Sequence, residues 1–403
     1  MRHNRAGEQK LKVAQLVPYY SPVIGGVEVV CQYISEELAR RGHEVHVFTA
    51  NRAHKGSPRL QMPSNEVLNG VNVHRFRSYI NGGHYALFPG FIVPLRNGEF
   101  DIIHAHGYRQ PQSEIGGRLG ARFNVPTVLH VHGGFYAGTR LKLLWYDLFD
   151  RLARRQKVNV FDHFIALSEL DQRRLLELNV DPSSISIIGN AAENQAFEAS
   201  DSTQFRKKHG LEGKRVILYL SILCQYKRPD LLIHALPRLV EKEPDVFVLF
   251  VGPDAGELEK ILKLGNRLGV AKHYRWIGPL QGREKQQAFE CAEFLALPSD
   301  EDPYPLVLLE AMAHKKPVLT TSVVGQASLI GSNEAGIIIA PGDLSGIVDG
   351  AIKLLADSAY RETISANARR LAERLFTVKA VTDEIERLYL CLIERKRSLT
   401  AAN

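Results

Sequence analysis

Apolar and polar positions come in short alternating blocks along the chain. Residues 11–17, LKVAQLV, are an apolar run ended by Pro18, which predicts a buried strand. The loop PYYSPVIGG follows, then a helical apolar repeat from Val27 to about Arg41, stopped by Gly42. Val45–Thr49 alternates as a strand. Further short strands are predicted at Val71–Phe76, Ile102–Ala105, Thr127–Val131 and His163–Leu167, with helical stretches between several of them.

The pattern restarts near residue 215. RVILYL predicts a strand, SILCQYKRPD a turn, LLIHALPRLV a helix and DVFVLFVG a strand. A helix over Gly256–Leu268, the strand YRWIG, a helix over Arg283–Cys291, the strand EFLALPS, a helix over Leu306–Ala313 and the strand PVLTT follow. Strands alternating with helices imply a parallel sheet covered on both faces. Two such runs predict an α/β protein of two doubly wound, Rossmann-like domains, with ligands at the carboxyl ends of the strands facing a crevice. The break falls within NQAFEASDSTQFRKKHGLEGK. The expected domains are 1–200, 201–375 and a C-terminal helix, 376–403, packing back on the first.

Composition narrows the class. At 403 residues the chain is long for one core, and 45% apolar with 24% charged residues is ordinary for a globular protein. The net charge is +7, and residues 1–200 hold 23 basic against 18 acidic residues, so most of the excess is there. This fits either an anionic partner, such as a membrane surface or phosphorylated acceptor, or a mildly basic solvated surface. No arginine-rich arm or nucleic-acid motif is present, so no nucleic-acid partner is expected. Cys31, Cys224, Cys291 and Cys391 form no CxxC, which reads as a reduced, cytoplasmic chain. The polar start MRHNRAGEQK is no secretory signal, and no run of about 18 apolar residues is free of charge. Leu141–Lys157 sets Lys142, Arg151, Arg154, Arg155 and Lys157 around helically spaced apolar residues. It suits a helix lying on an anionic membrane near a lipid-linked acceptor, or a core-facing helix with a wet basic side.

The densest chemistry is in SDEDPYPLVLLEAMAHKKPV, residues 299–318. Pro303 and Pro305 forbid a helix before Leu306, but proline suits a helix start. The free N–H groups of Leu306 to Leu308 would then suit a phosphate. Glu310, inside this apolar helix, reads either as a surface residue or as a carboxylate accepting two hydroxyls, as a ribose offers. Asp302 either caps the helix or holds a substrate group. Asp300–Asp302 has a weak metal-binding spacing, and no metal is expected there. Lys227 and Arg228, between a strand and a helix, are either solvated cations or point charges for a diphosphate. Gly25 and Gly26 open the first helix, where missing side chains permit a tight turn or leave amides free for an anion. His104, His106, His130 and His132 sit at strand ends, each pair two apart and so on one face. No Cys or carboxylate completes a zinc set. His132, before Gly133–Gly134, is expected to be a neutral hydrogen-bond donor at the crevice. His104 and His130 are expected to be buried and satisfied.

Together these pieces resemble the retaining, nucleotide-sugar-dependent glycosyltransferases of family 4, of GT-B architecture. The resemblance spans nearly the whole chain, in GGVEVVCQYISEELARRGHEVHVFTA, HVHGGF, ALSEL with SIIGN, YKRPDLLIHAL, FVG with YRWIG, LPSDEDPYPLVLLEAMAHKKPV and EAGIIIAPGD. It implies a metal-independent hexosyl transfer from a UDP- or GDP-sugar to a glycan or lipid-linked acceptor, with retention and without another cofactor. It assigns Gly25, Gly26 and Lys227 to the donor diphosphate, with the Leu306 and Val307 amides. His132 and Asp302 go to the donor sugar and Glu310 to the ribose.

The chain departs from the pattern at several points. The family's arginine falls on Ile222, leaving Arg228 as a substitute cation. The first acid is Asp302 rather than Glu, and Pro305 and Gln326 stand where glycines are usual. A nucleotide-sugar epimerase of similar architecture and a diverged, non-catalytic binding protein are the rival readings. A nicotinamide oxidoreductase is disfavoured, since no GxGxxG follows the strands at Val17 or Leu220.

Overall fold

The computed structural model describes residues 10–23, 25–52, 62–82, 85–133 and 159–401. Gly134 and the Leu141–Lys157 segment lie outside the described residues. The chain forms two compact units, Met1–Ala191 with Val378–Asn403, and Ala192–Thr377. Residues 192–200, drawn with the first domain from sequence, belong to the second. There Arg369 Nη2 donates to the Phe197 carbonyl at 3.0 Å, and its guanidinium lies over the Phe197 ring.

In the first unit the strands are β1 (Lys12–Leu16), β2 (Glu44–Ala50), β3 (Asn65–Leu68), β4 (Val71–Phe76), a hairpin of β5 (Ile80–Gly82) with β6 (Tyr85–Leu87), β7 (Ile102–His106), β8 (Thr127–His130), β9 (His163–Ala166) and β10 (Ile185–Ile187). Its main sheet has the order β10-β9-β8-β7-β1-β2-β4-β3. All pairings in it are parallel except β3 with β4. The helix Val378–Ala401 packs in this unit. Its Glu386 accepts from Arg41 at 2.6 Å and pairs with His43 at 3.0 Å, and its Tyr389 is fully buried. β3 and β10 escaped the sequence reading because NEVL and ISI are too short and too polar to show a period.

In the second unit the strands are β11 (Arg215–Leu220), β12 (Val246–Val251), β13 (Tyr274–Trp276), β14 (Ala292–Leu297), β15 (Val318–Thr321) and β16 (Gly336–Ile339). They form one parallel sheet, β13-β12-β11-β14-β15-β16. All six residues of β12 are buried, as its unbroken apolar run demands between two helix layers. Each such side chain contributes about 1.5–3 kcal/mol through burial. The order reverses between β11 and β14. In a doubly wound sheet the loops leaving those two strands splay apart and open a binding position.

Candidate functional site

The loop leaving β11 carries a short 3-10 turn, Gln225–Lys227. Gly252, φ +137°, permits its approach to the next loop. A Cβ there would stand 1.9 Å from the Ser221 carbonyl oxygen. The loop leaving β14 is held on its far side. Asp302 bridges to Val324, Gly325 N–H donates to the Pro303 carbonyl at 3.1 Å, and Gln326 Nε2 donates to the Pro305 carbonyl at 3.1 Å. Two departures from the family pattern, Pro305 and Gln326, therefore touch each other. Gln326 Oε1 is buried without a partner among the described residues.

These loops bring Lys227 and Asp302 into a direct ion pair, with both residues buried. Burial raises the Asp302 pKa, and Lys227 offsets only part of that. Burial also raises that of neighbouring Glu301, which Lys227 opposes and Asp302 reinforces. Arg228 sits in the left-handed region, φ 51°. Its guanidinium pairs with both oxygens of Asp230, at 3.0 and 2.9 Å, and reaches Asp300 at 3.2 Å. Its charge is thus already matched by two carboxylates. Ile222, at the position of the family arginine, is an exposed apolar side chain.

The helix Leu306–Ala313 starts where Pro303 and Pro305 require. No side chain caps it, so Asp302 is not its cap. The amide of Leu308 turns back to the Pro305 carbonyl at 3.2 Å. Glu310, one turn in, is largely buried, and its Oε1 accepts from Lys285 Nζ at 2.9 Å. Lys285 also reaches Glu193 Oε2 at 3.5 Å. No sequence motif pointed to Lys285 or Glu193. The only signal was the apolar setting of Glu310, which demands a counter-charge from somewhere.

In the first unit, the missing side chain of Gly25 leaves room for a carboxylate that the sequence did not point to. A Cβ there would stand 2.3 Å from Oε2 of Glu28, a buried carboxylate in the first turn of the helix Gly26–Arg40. The helix start was expected to offer free amides to an anion, but an acid of its own lies against it.

The four histidines form one packed group. His130 and His132 stack at 3.9 Å between ring centroids, and His104 and His106 at 4.3 Å. Burial pushes His104 and His132 down to about 3, and His106 and His130 well below the usual range. All four are therefore neutral at pH about 7. Gln15 Nε2 donates to the Tyr389 hydroxyl at 3.4 Å, and its Oε1 lies 2.8 Å from His106 Nε2. An amide oxygen only accepts, so His106 Nε2 carries the proton and its Nδ1 accepts from His132 Nε2 at 2.8 Å. His132, expected as a donor, has used its N–H and presents Nδ1 as an acceptor. It holds a left-handed backbone, φ 52°, followed by Gly133 at φ 65°.

His104 Nδ1 meets the Tyr389 hydroxyl at 2.5 Å. Its Nε2 and both nitrogens of His130 have no partner among the described residues, contrary to the expectation of satisfied histidines. Nitrogens of His104, His106 and His130 lie within 4.8 Å of one another. Yet both nitrogens of His106 are already bonded, and the rings of His104 and His130 are parallel to within 6°. Imidazole lone pairs lie in the ring plane, so this is the geometry of a stack and not of ligands converging on an ion.

Residues 201–371 match the family model for glycosyl transferases group 1, and residues 24–194 that for glycosyltransferase family 4. The chain belongs to this family of glycosyltransferases. It is 25% identical over 406 residues to an uncharacterized glycosyltransferase of Methanocaldococcus jannaschii, covering 95% of this chain and 99% of that one. It is 26% identical to the N-acetyl-alpha-D-glucosaminyl L-malate synthase of Bacillus anthracis, over 91% and 94% of the two chains. The crystal structure of Anabaena HepE in complex with UDP superposes with a TM-score of 0.74 at 20% identity, over 94% of this chain and 99% of that one. The GT-B architecture of two Rossmann-like units is the one expected from sequence. Among the described residues, no helix is long and apolar enough to cross a membrane.

Proposed function

We propose that this glycosyltransferase moves a hexosyl unit from a UDP- or GDP-sugar to a glycan or lipid-linked acceptor, with retention and without a metal ion. The observation that carries the reading is the placement of Lys227 and Asp302 together at the reversal point of the second sheet, beside an uncapped helix start. A diphosphate there meets a cation and the amides of Leu306 and Val307, which stabilise charge developing on the leaving group. Glu310 accepts the ribose hydroxyls. The HepE structure, which holds UDP, favours a nucleotide of this kind. The family resemblance gives His132, with its acceptor nitrogen, to a hydroxyl of the donor sugar, and Gly25 and Gly26 to the donor diphosphate. Lys227 must exchange Asp302 for phosphate when the donor arrives. Asp302 is then freed for the sugar. The excess of basic residues in positions 1–200 and the four unpaired cysteines fit a cytoplasmic enzyme serving an acceptor at an anionic membrane.

The test is nucleotide release from UDP-, GDP- and ADP-sugars by the full chain, with and without chelator. Release from one donor, indifferent to chelator and lost in Lys227→Ala and Glu310→Ala, is the expected result. Release that needs a divalent ion overturns the metal-free mechanism. Conversion of the donor sugar without transfer favours an epimerase.

A further inference from the structure

Glu310 shares its counter-ion. Lys285 lies on the helix Gly282–Cys291, its Nζ 2.9 Å from Glu310 Oε1 and 3.5 Å from Glu193 Oε2. The side chains of Lys285, Glu310 and Glu193 are 19%, 13% and 25% exposed. Glu193 in turn accepts from Gln286 Nε2 at 3.3 Å. Gln286 Oε1 bonds to the His314 ring, whose other nitrogen pairs with Glu290 at 3.0 Å. One ammonium thus serves two largely buried carboxylates, within a network that fixes where it stands. Burial disfavours charge on Lys285, but Glu310 and then Glu193 outweigh it, so the ammonium stays protonated. Oε2 of Glu310 has no side-chain or backbone partner among the described residues.

We propose that Lys285 is a positioning residue that holds Glu310 turned so that it accepts both hydroxyls of the nucleotide ribose. This rests on the donor-site reading above. A ribose diol needs a carboxylate with two accepting oxygens. A carboxylate on an apolar helix, left without its cation, turns out of the site toward water, because burying it unpaired is costly. Lys285 occupies one lone pair of Oε1 and leaves the rest of the carboxylate to the ligand. Glu193 anchors Lys285 from the other side, so the ammonium stays in place when Glu310 turns to a ligand.

The probes are UDP and GDP, each beside its 2′,3′-dideoxy form, titrated into the full chain. Wild type is expected to prefer the ribonucleotide at least ~30-fold, because two charge-assisted hydrogen bonds are at stake. In Lys285→Met, and in Lys285→Gln if Met does not fold, that preference is expected to fall below ~5-fold, with the dideoxy affinity nearly unchanged. Lys285→Arg is expected to restore most of it. A merely structural ion pair would instead weaken both forms of the nucleotide together. If Glu310→Gln abolishes the preference while the Lys285 variants keep it, Lys285 has no such role and the ribose reading stands. If wild type itself does not distinguish the two forms, the ribose reading of Glu310 fails and takes this inference with it.

Discussion

The two units share one architecture and equip it in opposite ways. In the second, the carboxyl ends of β11 and β14 gather three cations, Lys227, Arg228 and Lys285. They are set against five carboxylates, Asp302, Asp230, Asp300, Glu310 and Glu193. In the first, β7 and β8 end in four neutral, stacked imidazoles with Gln15 and Tyr389 as their partners. Ion pairs suit a charged ligand because phosphate can take the carboxylate's place at the cation. Neutral nitrogens suit hydroxyls, which need a directed acceptor and no charge. On the proposed reading, the contrast gives the diphosphate to the cations of the second unit and one hydroxyl of the donor sugar to His132 of the first.

Acid should separate the units most sharply. A histidine held neutral in the fold binds protons more readily once unfolded. Stability is therefore intact above the unfolded pKa of about 6.5 and lost as pH falls below it. For His104, with a folded value of about 3, the loss at pH 5 is on the order of 2 kcal/mol. His106, His130 and His132 act in the same direction. Asp302 acts the other way, since its raised pKa favours the folded state as protons are added. Hydrogen exchange at pH 7 and at about pH 5 is expected to show β7 and β8 opening while β11 and β14 stay protected. Equal loosening of both units would remove the asymmetry.

Lys227→Met comes next in size. It leaves Asp302 buried without its cation, at a cost of about 3 kcal/mol in denaturant unfolding. The loss should shrink toward acid pH, where Asp302 accepts a proton instead. A smaller effect is expected for Tyr389→Phe, which strands His104 Nδ1 and the Gln15 amide for about 2 kcal/mol. Nucleotide affinity should not move in that variant. Gln326→Gly is expected to be smallest, under about 1 kcal/mol. It loses the bond to Pro305 but also removes an oxygen that has no partner.

Apolar blocks such as LKVAQLV in the first unit and DVFVLFVG in the second showed both sheets, because a central parallel strand is apolar on both faces and its neighbours are helical. Edge strands such as NEVL carry half that signal and were not legible. Asp302 and Lys227 were readable as candidates because prolines and strand ends fix where their loops turn. Their pairing was not, since a separation of 75 positions along the chain hides it. The position of Ile222 announced a missing charge, but not that Arg228 would already be engaged by Asp230 and Asp300. Lys285 and Glu193 left no trace, because an ion pair across helices has no period. The direction of the Gln15–His106–His132 bonds needs an amide orientation that sequence does not carry.

The most direct measurement is calorimetric titration of UDP and GDP into the full chain, into Lys227→Met and into His132→Ala. The account expects one nucleotide to bind wild type, Lys227→Met to weaken it at least ~100-fold, and His132→Ala to hold it within ~3-fold, since a bare nucleotide has no sugar for His132 to meet. Nucleotide binding that survives in Lys227→Met and disappears in His132→Ala would contradict the division of roles between the two units.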